Sequence, residues 1–310
     1  NSIFFAPVTL SRETVRQLYG ETIHTAATRL EAFGRCPFAY YMNYILGAKP
    51  RKLYEVLPSD LGKLFHDVIA EFTKKRRFDL SRAEIFAVVD EMTTEMNSED
   101  SIFHRSARNK HILAKVRSVA AASCWAICEQ IKNGQYSPSL IEHEILTSIT
   151  LENGKSLSLH GRVDRVDAFE DSLKIIDYKT GGAKFSMDEA LKGVQLQLML
   201  YMNALTNSRG QKTPGGVFYF PIDDPIINTD EILSDAARDE ALLKCFKMSG
   251  IEINDKFDMH SFKTFGGEIE NKVKELGEKI YAGNIIAQPY THGPKSPCKY
   301  CKFPCGGNSS

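Results

Sequence analysis

Apolar positions recur at helical spacing through most of the first 134 residues, give way to strand-like runs, and return to helical spacing near the C-terminus. The period predicts helices over about 25–47, 60–77, 81–97 and 106–132. Strands are expected between about 141 and 220. Ser158-Leu159-His160-Gly161-Arg162-Val163 alternates, Leu173-Lys174-Ile175-Ile176 runs apolar, and Gly215-Gly216-Val217-Phe218-Tyr219-Phe220 reads as a further strand. Inside this block, Gly193 to Leu205 is strongly apolar at helical spacing. Helix resumes over 235–249 and 260–283, and Pro289, Pro294, Pro297 and Pro304 mark the tail from 284 as loop. The expected fold class is α/β: a small mixed sheet flanked by helices. Residues 1–24 read as a linker, about 78–140 as a helical insertion, about 141–221 as the core, and 235–305 as C-terminal helices and a Cys-rich loop.

The chemistry concentrates on two adjacent strands. They flank Phe169-Glu170-Asp171-Ser172, which reads as a tight turn. With Glu170 and Asp171 as the turn residues, 169 pairs with 172, and by the same register 164 pairs with 177. Asp164 and Asp177 would then face each other with Cβ atoms roughly 5 Å apart. Like charges at that distance repel unless a cation lies between them. Residues two apart on a strand share a face, so Lys179 joins Asp177 and Tyr178 points away. Two carboxylates are hard ligands suited to Mg²⁺ or Mn²⁺, and a neighbouring lysine can orient a water or stabilise charge on phosphorus. The competing reading is an exposed hairpin with ordinary surface charges, since Asp-x-Lys is common. The apolar pair Ile175-Ile176 ahead of Asp177 argues for a buried strand, where a charge has a task.

Two helices add candidates. Gln197 and Tyr201 lie four apart on one face and could hold a phosphate or base, or be a satisfied amide and a buried phenol of a core helix. Asp60 to Phe72 reads as an amphipathic helix carrying His66, and a lone histidine on a helix is more often structural than a ligand. In order along the chain stand Gly62…His66, Gly161-Arg162-Val163-Asp164-Arg165-Val166-Asp167, Ile176-Asp177-Tyr178-Lys179-Thr180-Gly181 and Gln197…Tyr201. This series resembles the RecB-type branch of the PD-(D/E)xK nuclease superfamily. The resemblance implies a restriction-endonuclease-like core and a Mg²⁺-dependent deoxyribonuclease. It implies metal ligation by His66, Asp164 and Asp177, catalysis by Lys179 with Asp177 and Asp164, and DNA contact by Gln197 and Tyr201. An acidic residue of the preceding element often joins such a site, and both Glu142 and Glu144 are candidates.

Seven cysteines are present. Cys298, Cys301 and Cys305 crowd the tail in a metal or cluster pattern rather than a disulfide framework. They need a fourth ligand, and Cys36, ahead of Pro37-Phe38, is the plausible one. Cys124 and Cys128, four apart beside Trp125, read as core packing, as does Cys245. Spacing leaves zinc and an iron–sulfur cluster both open. Cys-Pro-Phe near the start and the tail cysteines at the end, bracketing such a nuclease, resemble the iron–sulfur staple of the AddB-type family, the second subunits of bacterial helicase–nucleases. That resemblance implies a structural 4Fe–4S cluster held by Cys36, Cys298, Cys301 and Cys305. It also implies a helicase-nuclease partner subunit, single-stranded DNA as substrate, exonuclease action, and a place in break repair and recombination. The long insertion at 78–140 disfavours the shorter CRISPR-associated exonucleases. A stapled DNA-binding scaffold with an inactive site is the non-enzymatic rival.

Composition narrows this further. The 310 residues carry 39 basic and 39 acidic side chains, for a net charge of zero. Proteins that bind DNA alone are usually basic, so a neutral domain suits a strand delivered by a larger assembly. Local basic clusters remain: Lys49-Pro50-Arg51-Lys52, Lys74-Lys75-Arg76-Arg77, and Arg105, Arg108, Lys110, Lys115 and Arg117. Each is, by default, a solvated face. No apolar run approaches the ~18 residues of a membrane span. Reduced-type cysteine use argues for the cytoplasm. The first residues are too short and uncharged for a signal peptide, and the missing initiator methionine suggests an excised C-terminal domain. No Gly-x-x-x-x-Gly-Lys-Ser/Thr occurs, so unwinding would come from elsewhere.

Overall fold

Runs of apolar residues at 173–178 and 215–220 leave both faces of two neighbouring strands buried, which is why helices cover both sides of the sheet. The computed structural model describes residues 9–48, 56–98, 101–208, 212–225, 234–291, 296–303 and 305. In chain order they form α1 (Arg12–Tyr19), β1 (Thr22–Thr25), α2 (Ala27–Arg35), α3 (Pro37–Tyr40), α4 (Pro58–Lys74), α5 (Arg82–Met96) and α6 (Ala107–Lys132). There follow β2 (Ser137–Thr150), β3 (Ser156–Phe169), β4 (Ser172–Thr180), α7 (Met187–Leu191), α8 (Gln197–Ser208) and β5 (Thr213–Ile222). The C-terminal part holds α9 (Asp235–Cys245), β6 (Ser249–Glu252) and α10 (Met259–Tyr281).

The chain adopts the hairpin register inferred from the turn as far as Arg165 opposite Ile176, but the expected pair of Asp164 with Asp177 lies past the end of the ladder. Phe169 pairs with Ser172, Ala168 with Leu173, and the ladder continues to Arg165 opposite Ile176. Glu170 takes the left-handed conformation (φ 51°) that a tight turn demands. The sheet order is β1-β3-β4-β5-β6, and β2 pairs with the remaining edge of β3. β2 runs antiparallel along almost all of β3. The opposite edge of β3 is shared: β1 pairs in parallel with 156–159, and β4 with 165–169. Residues 160–164 therefore lie at a fork, where β4 has left β3 and pairs in parallel with β5 alone.

Alternation along β4 and β5 divides the core in two. Leu173, Ile175, Val217 and Tyr219 pack with α2, α8 and α10 through Leu30, Phe33, Met199 and Ile269. Ile176, Tyr178, Phe218 and Phe220 pack with α4, α5 and α6 through Val68, Phe72, Ile85 and Ile127. Each such side chain contributes roughly 1.5–3 kcal/mol when fully buried. On the α4–α6 side of the sheet, Arg165 (1% exposed) forms a buried ion pair with Asp167, Nη2 to Oδ2 at 2.9 Å.

Several expectations are corrected. Residues 1–24 are not all linker: α1 and β1 fold onto the domain, with Ile23 in the core, because β1 is too short to show a period. The helix expected over 25–47 breaks at Cys36, which is extended (φ −168°) ahead of Pro37. Proline clashes with a helical residue before it. The helix expected over 235–249 ends at Cys245, and β6 then pairs with β5. Cys245 is exposed rather than in the core, while Cys124 and Cys128 are buried as expected. Lys74 to Arg77 are exposed, whereas Lys115 and Arg117 pair with Asp224 and Asp90 at 3.1 and 3.2 Å. The basic run 49–52, Pro294 and Pro304 lie outside the described residues. Among the described residues no helix is long and apolar enough to cross a membrane.

Candidate active site

Four elements deliver side chains to the fork. α4 brings His66, whose Nδ1 lies 3.3 Å from Asp164 Oδ2 on β3. β2 brings Glu142. Its neighbours Ile141 and His143 pair with Arg165 and Val163, so Glu142 stands across from Asp164. Glu142 has a left-handed backbone (φ 52°), which for a non-glycine residue in a strand is strained and characteristic of functional positions. Ligand atoms of His66, Glu142 and Asp164 all lie within 4.8 Å of one another. Arg162 Nε braces Glu142 Oε2 at 2.7 Å.

β4 brings Asp177 and Lys179 to the same place. Asp164 Oδ2 accepts the backbone N–H of Tyr178 at 2.8 Å, a side-chain bond where the β3–β4 ladder has ended. Tyr178 itself points to the other layer and meets the His66 ring edge-on, centroids 5.7 Å apart. Asp177 is 4% exposed, and its Oδ2 is in contact with the Lys179 ammonium, a largely buried ion pair. Burial, then the charge of Asp164, holds the Asp177 carboxyl well above the usual carboxylate range, against the pull of Lys179. Burial is the largest influence on Lys179 and His66 and opposes their charges, but the carboxylates around them together raise both: Asp177, Asp164 and Glu31 for Lys179, and Asp164 and Asp177 for His66. Burial and Asp164 likewise raise Glu142. Lys179 Nζ also sits 5.1 Å from the Tyr219 ring centroid. His66, Glu142 and Asp164, with the Asp177–Lys179 pair beside them, are a donor set that a divalent cation would satisfy.

The close group is thus His66, Glu142 and Asp164, with Asp177 beside it rather than within it. Glu144 is exposed. Alternation could not choose between two glutamates that share a strand face; the left-handed turn at Glu142 does. At the start of α8, Gln197 is 8% exposed. Tyr201 is 6% exposed, and its hydroxyl lies directly over Gly161. A Cβ at Gly161 would collide with that hydroxyl. Gly161→Ala should therefore cost roughly 1–3 kcal/mol by overpacking, read as a lower urea midpoint. Glu31 of α2, which sequence reasoning gave no role, is buried against the first turn of α8. Only its place in a polar–apolar helix signalled it.

A second centre lies at the other end of α2. Cys36, Cys298, Cys301 and Cys305 line one cavity of about 340 Å³ with Phe38 and Tyr44. All four are free thiols. The tail is brought back by backbone bonds from Tyr290 N to Arg35 O (2.7 Å) and Phe38 N to Ile286 O (3.3 Å). Burial, partly offset by the amides of Ala39 and Phe38, raises the Cys36 thiol pKa.

The family model described as the PD-(D/E)XK nuclease superfamily matches residues 24–305. The chain is 32% identical over 355 aligned residues to the ATP-dependent helicase/deoxyribonuclease B subunit of Alkaliphilus oremlandii, covering 95% of this chain and 31% of that protein. The protein of the same name from Acetivibrio thermocellus is 32% identical over 361 residues, with 95% and 31% covered. That from Clostridium novyi is 34% identical over 305 residues, with 89% and 25% covered. The chain spans between a quarter and a third of the length of these relatives. With the mixed sheet, its flanking helices and a match across nearly all of the chain, the expected fold class holds: the chain belongs to the PD-(D/E)XK nuclease superfamily.

Proposed function

We propose that this domain is a Mg²⁺- or Mn²⁺-dependent deoxyribonuclease that cuts single-stranded DNA, from an end, as a helicase-nuclease assembly feeds it. The observation that carries the reading is the buried Asp177–Lys179 ion pair next to the close group of His66, Glu142 and Asp164. His66, Asp164 and Asp177 would hold the metal, with Glu142 closing the set. Bound there, a divalent cation lowers the pKa of a water and neutralises charge on a phosphate oxygen. Lys179 holds the attacking water or the scissile phosphate. Gln197 and Tyr201 contact the strand.

The relatives' names support a helicase–nuclease assembly with a partner subunit. In that setting the domain works in the cytoplasm on broken DNA, in repair and recombination. The neutral net charge supports delivery of the strand by the partner. For the thiol cavity we favour a 4Fe–4S cluster. A zinc ion holds thiolates about 2.3 Å from one centre, hence about 4 Å from each other. Among the described residues, no three of these sulfurs lie within 4.8 Å of one another, and the cavity is larger than one ion fills.

The test is cleavage of end-labelled single-stranded DNA by the full-length protein with its helicase partner, in Mg²⁺ and in EDTA. Cutting that EDTA abolishes, with products growing from one labelled end, is expected. Equal cutting in both, or none by cluster-loaded protein with its partner, would leave the scaffold reading in place.

A further inference from the structure

Glu31, Gly34 and Arg35 are spaced to share one face of α2, and all three meet the segment that leads into α8. The Glu31 carboxylate accepts the backbone N–H of Leu196 at 2.8 Å and of Gln197 at 3.0 Å. Arg35 Nη2 donates to the Val194 carbonyl at 2.9 Å. A Cβ at position 34 would collide with the Gly193 carbonyl, so glycine lets the helix lie directly on this backbone. Gly193 itself has φ +85°, which favours glycine again.

The first amides of a helix lack partners within it and need an acceptor. A Ser, Thr, Asn or Asp just before the helix would serve the second or third helical amide, and the amides of the N-cap and first residues, here Leu196 and Gln197, need another acceptor. That acceptor comes from a different helix. It is a carboxylate only 6% exposed, with Arg35 3.4 Å away. Burying a charge is costly, and water could satisfy these two amides at an exposed helix start. What the distant carboxylate adds is registration: it fixes the first turn of α8 against α2. The negative charge of Glu31 also acts on Lys179 and on Tyr219 across the same space.

We propose that Glu31 is a positioning residue of the nuclease site: through the Leu196 and Gln197 amides it sets Gln197 where the DNA strand is gripped. This rests on the reading of Gln197 as a strand contact. Glu31 touches neither the strand nor the reacting phosphate.

The experiment compares Glu31→Ala and Glu31→Gln in the full-length protein with its partner. Steady-state cleavage of single-stranded DNA is measured beside amide hydrogen exchange over residues 194–200. Glutamine keeps an acceptor oxygen and should stay within about twofold of the parent in KM. Alanine should raise KM about tenfold, with kcat within about threefold, and speed exchange at Leu196 and Gln197. A folded alanine variant with parental KM and exchange overturns the proposal. So does a fall in kcat with KM unmoved, which would put Glu31 at the reacting centre. If the alanine variant does not fold, Glu31→Asp takes its place, since it is too short to reach both amides, and parental KM and exchange would again refute the role. If the parent cuts no DNA, the nuclease reading fails separately, and the exchange comparison decides the link: faster exchange supports it, unchanged exchange overturns it.

Discussion

Asp177→Asn should reduce Mg²⁺-dependent cleavage about a thousandfold while leaving the urea midpoint unchanged or higher. The two halves of this expectation come from one observation. Asp177 is buried at 4% exposure, and burial and Asp164 together disfavour its charge more than the neighbouring Lys179 ammonium favours it. A group placed this way destabilises the fold in the absence of a cation, so a neutral side chain of equal size relieves repulsion and opens no cavity. Lys179 loses its counter-charge, but its side chain is 29% exposed and can turn to water. Chemistry fares differently. An amide offers one neutral oxygen to a metal that needs charge, and Lys179 loses the partner that aims it. Initial rates with Mg²⁺ and an equilibrium urea curve check both halves. A much lower midpoint would mean that Asp177 is a structural partner, and retained cleavage would remove it from the site.

The active-site hairpin was legible in the sequence because its signals are local. An apolar strand, a short turn and the register they impose brought Asp164 and Asp177 to one place, and the ladder from Phe169–Ser172 to Arg165–Ile176 follows that register. The long amphipathic helices α4, α5 and α6 were legible for the same reason, since each repeats its pattern over several turns. What escaped depends on contacts between distant segments. β1 and β6 have four residues each and exist because β3 and β5 offer them edges. Glu142 and Glu144 were indistinguishable until a left-handed backbone at Glu142 turned it to Asp164. Glu31 caps a helix through an amide 165 positions later, a relation with no signature in either segment alone. The break at Cys36 is a different case. Pro37 announces it, and the helical period on both sides of it obscured the announcement.

With the proposed 4Fe–4S cluster in the thiol cavity, the protein should show a broad visible absorbance, and removing the iron should bleach it and lower the unfolding free energy by about 5.5 kcal/mol. The size follows from topology. Cys298, Cys301 and Cys305 are neighbours, so linking them to one another restrains little chain. Linking them to Cys36 closes a loop that contains α4 to α10, most of the sheet and the nuclease site. Loop-closure entropy grows only logarithmically, which puts this closure slightly above the ~4.7 kcal/mol of a 100-residue loop. Backbone contact between the tail and the start of α3 is sparse among the described residues: Tyr290 and Phe38 each give one bond. Cys36→Ser should therefore act like iron removal, because it opens the large loop while leaving the three tail thiols together. The measurement is a urea curve with iron content and a visible spectrum recorded on the same anaerobic sample. Zinc in place of iron, with no visible band, would overturn the cluster assignment. Iron loss without a fall in stability would show that the tail is held by packing, and that the staple does not restrain the unfolded chain.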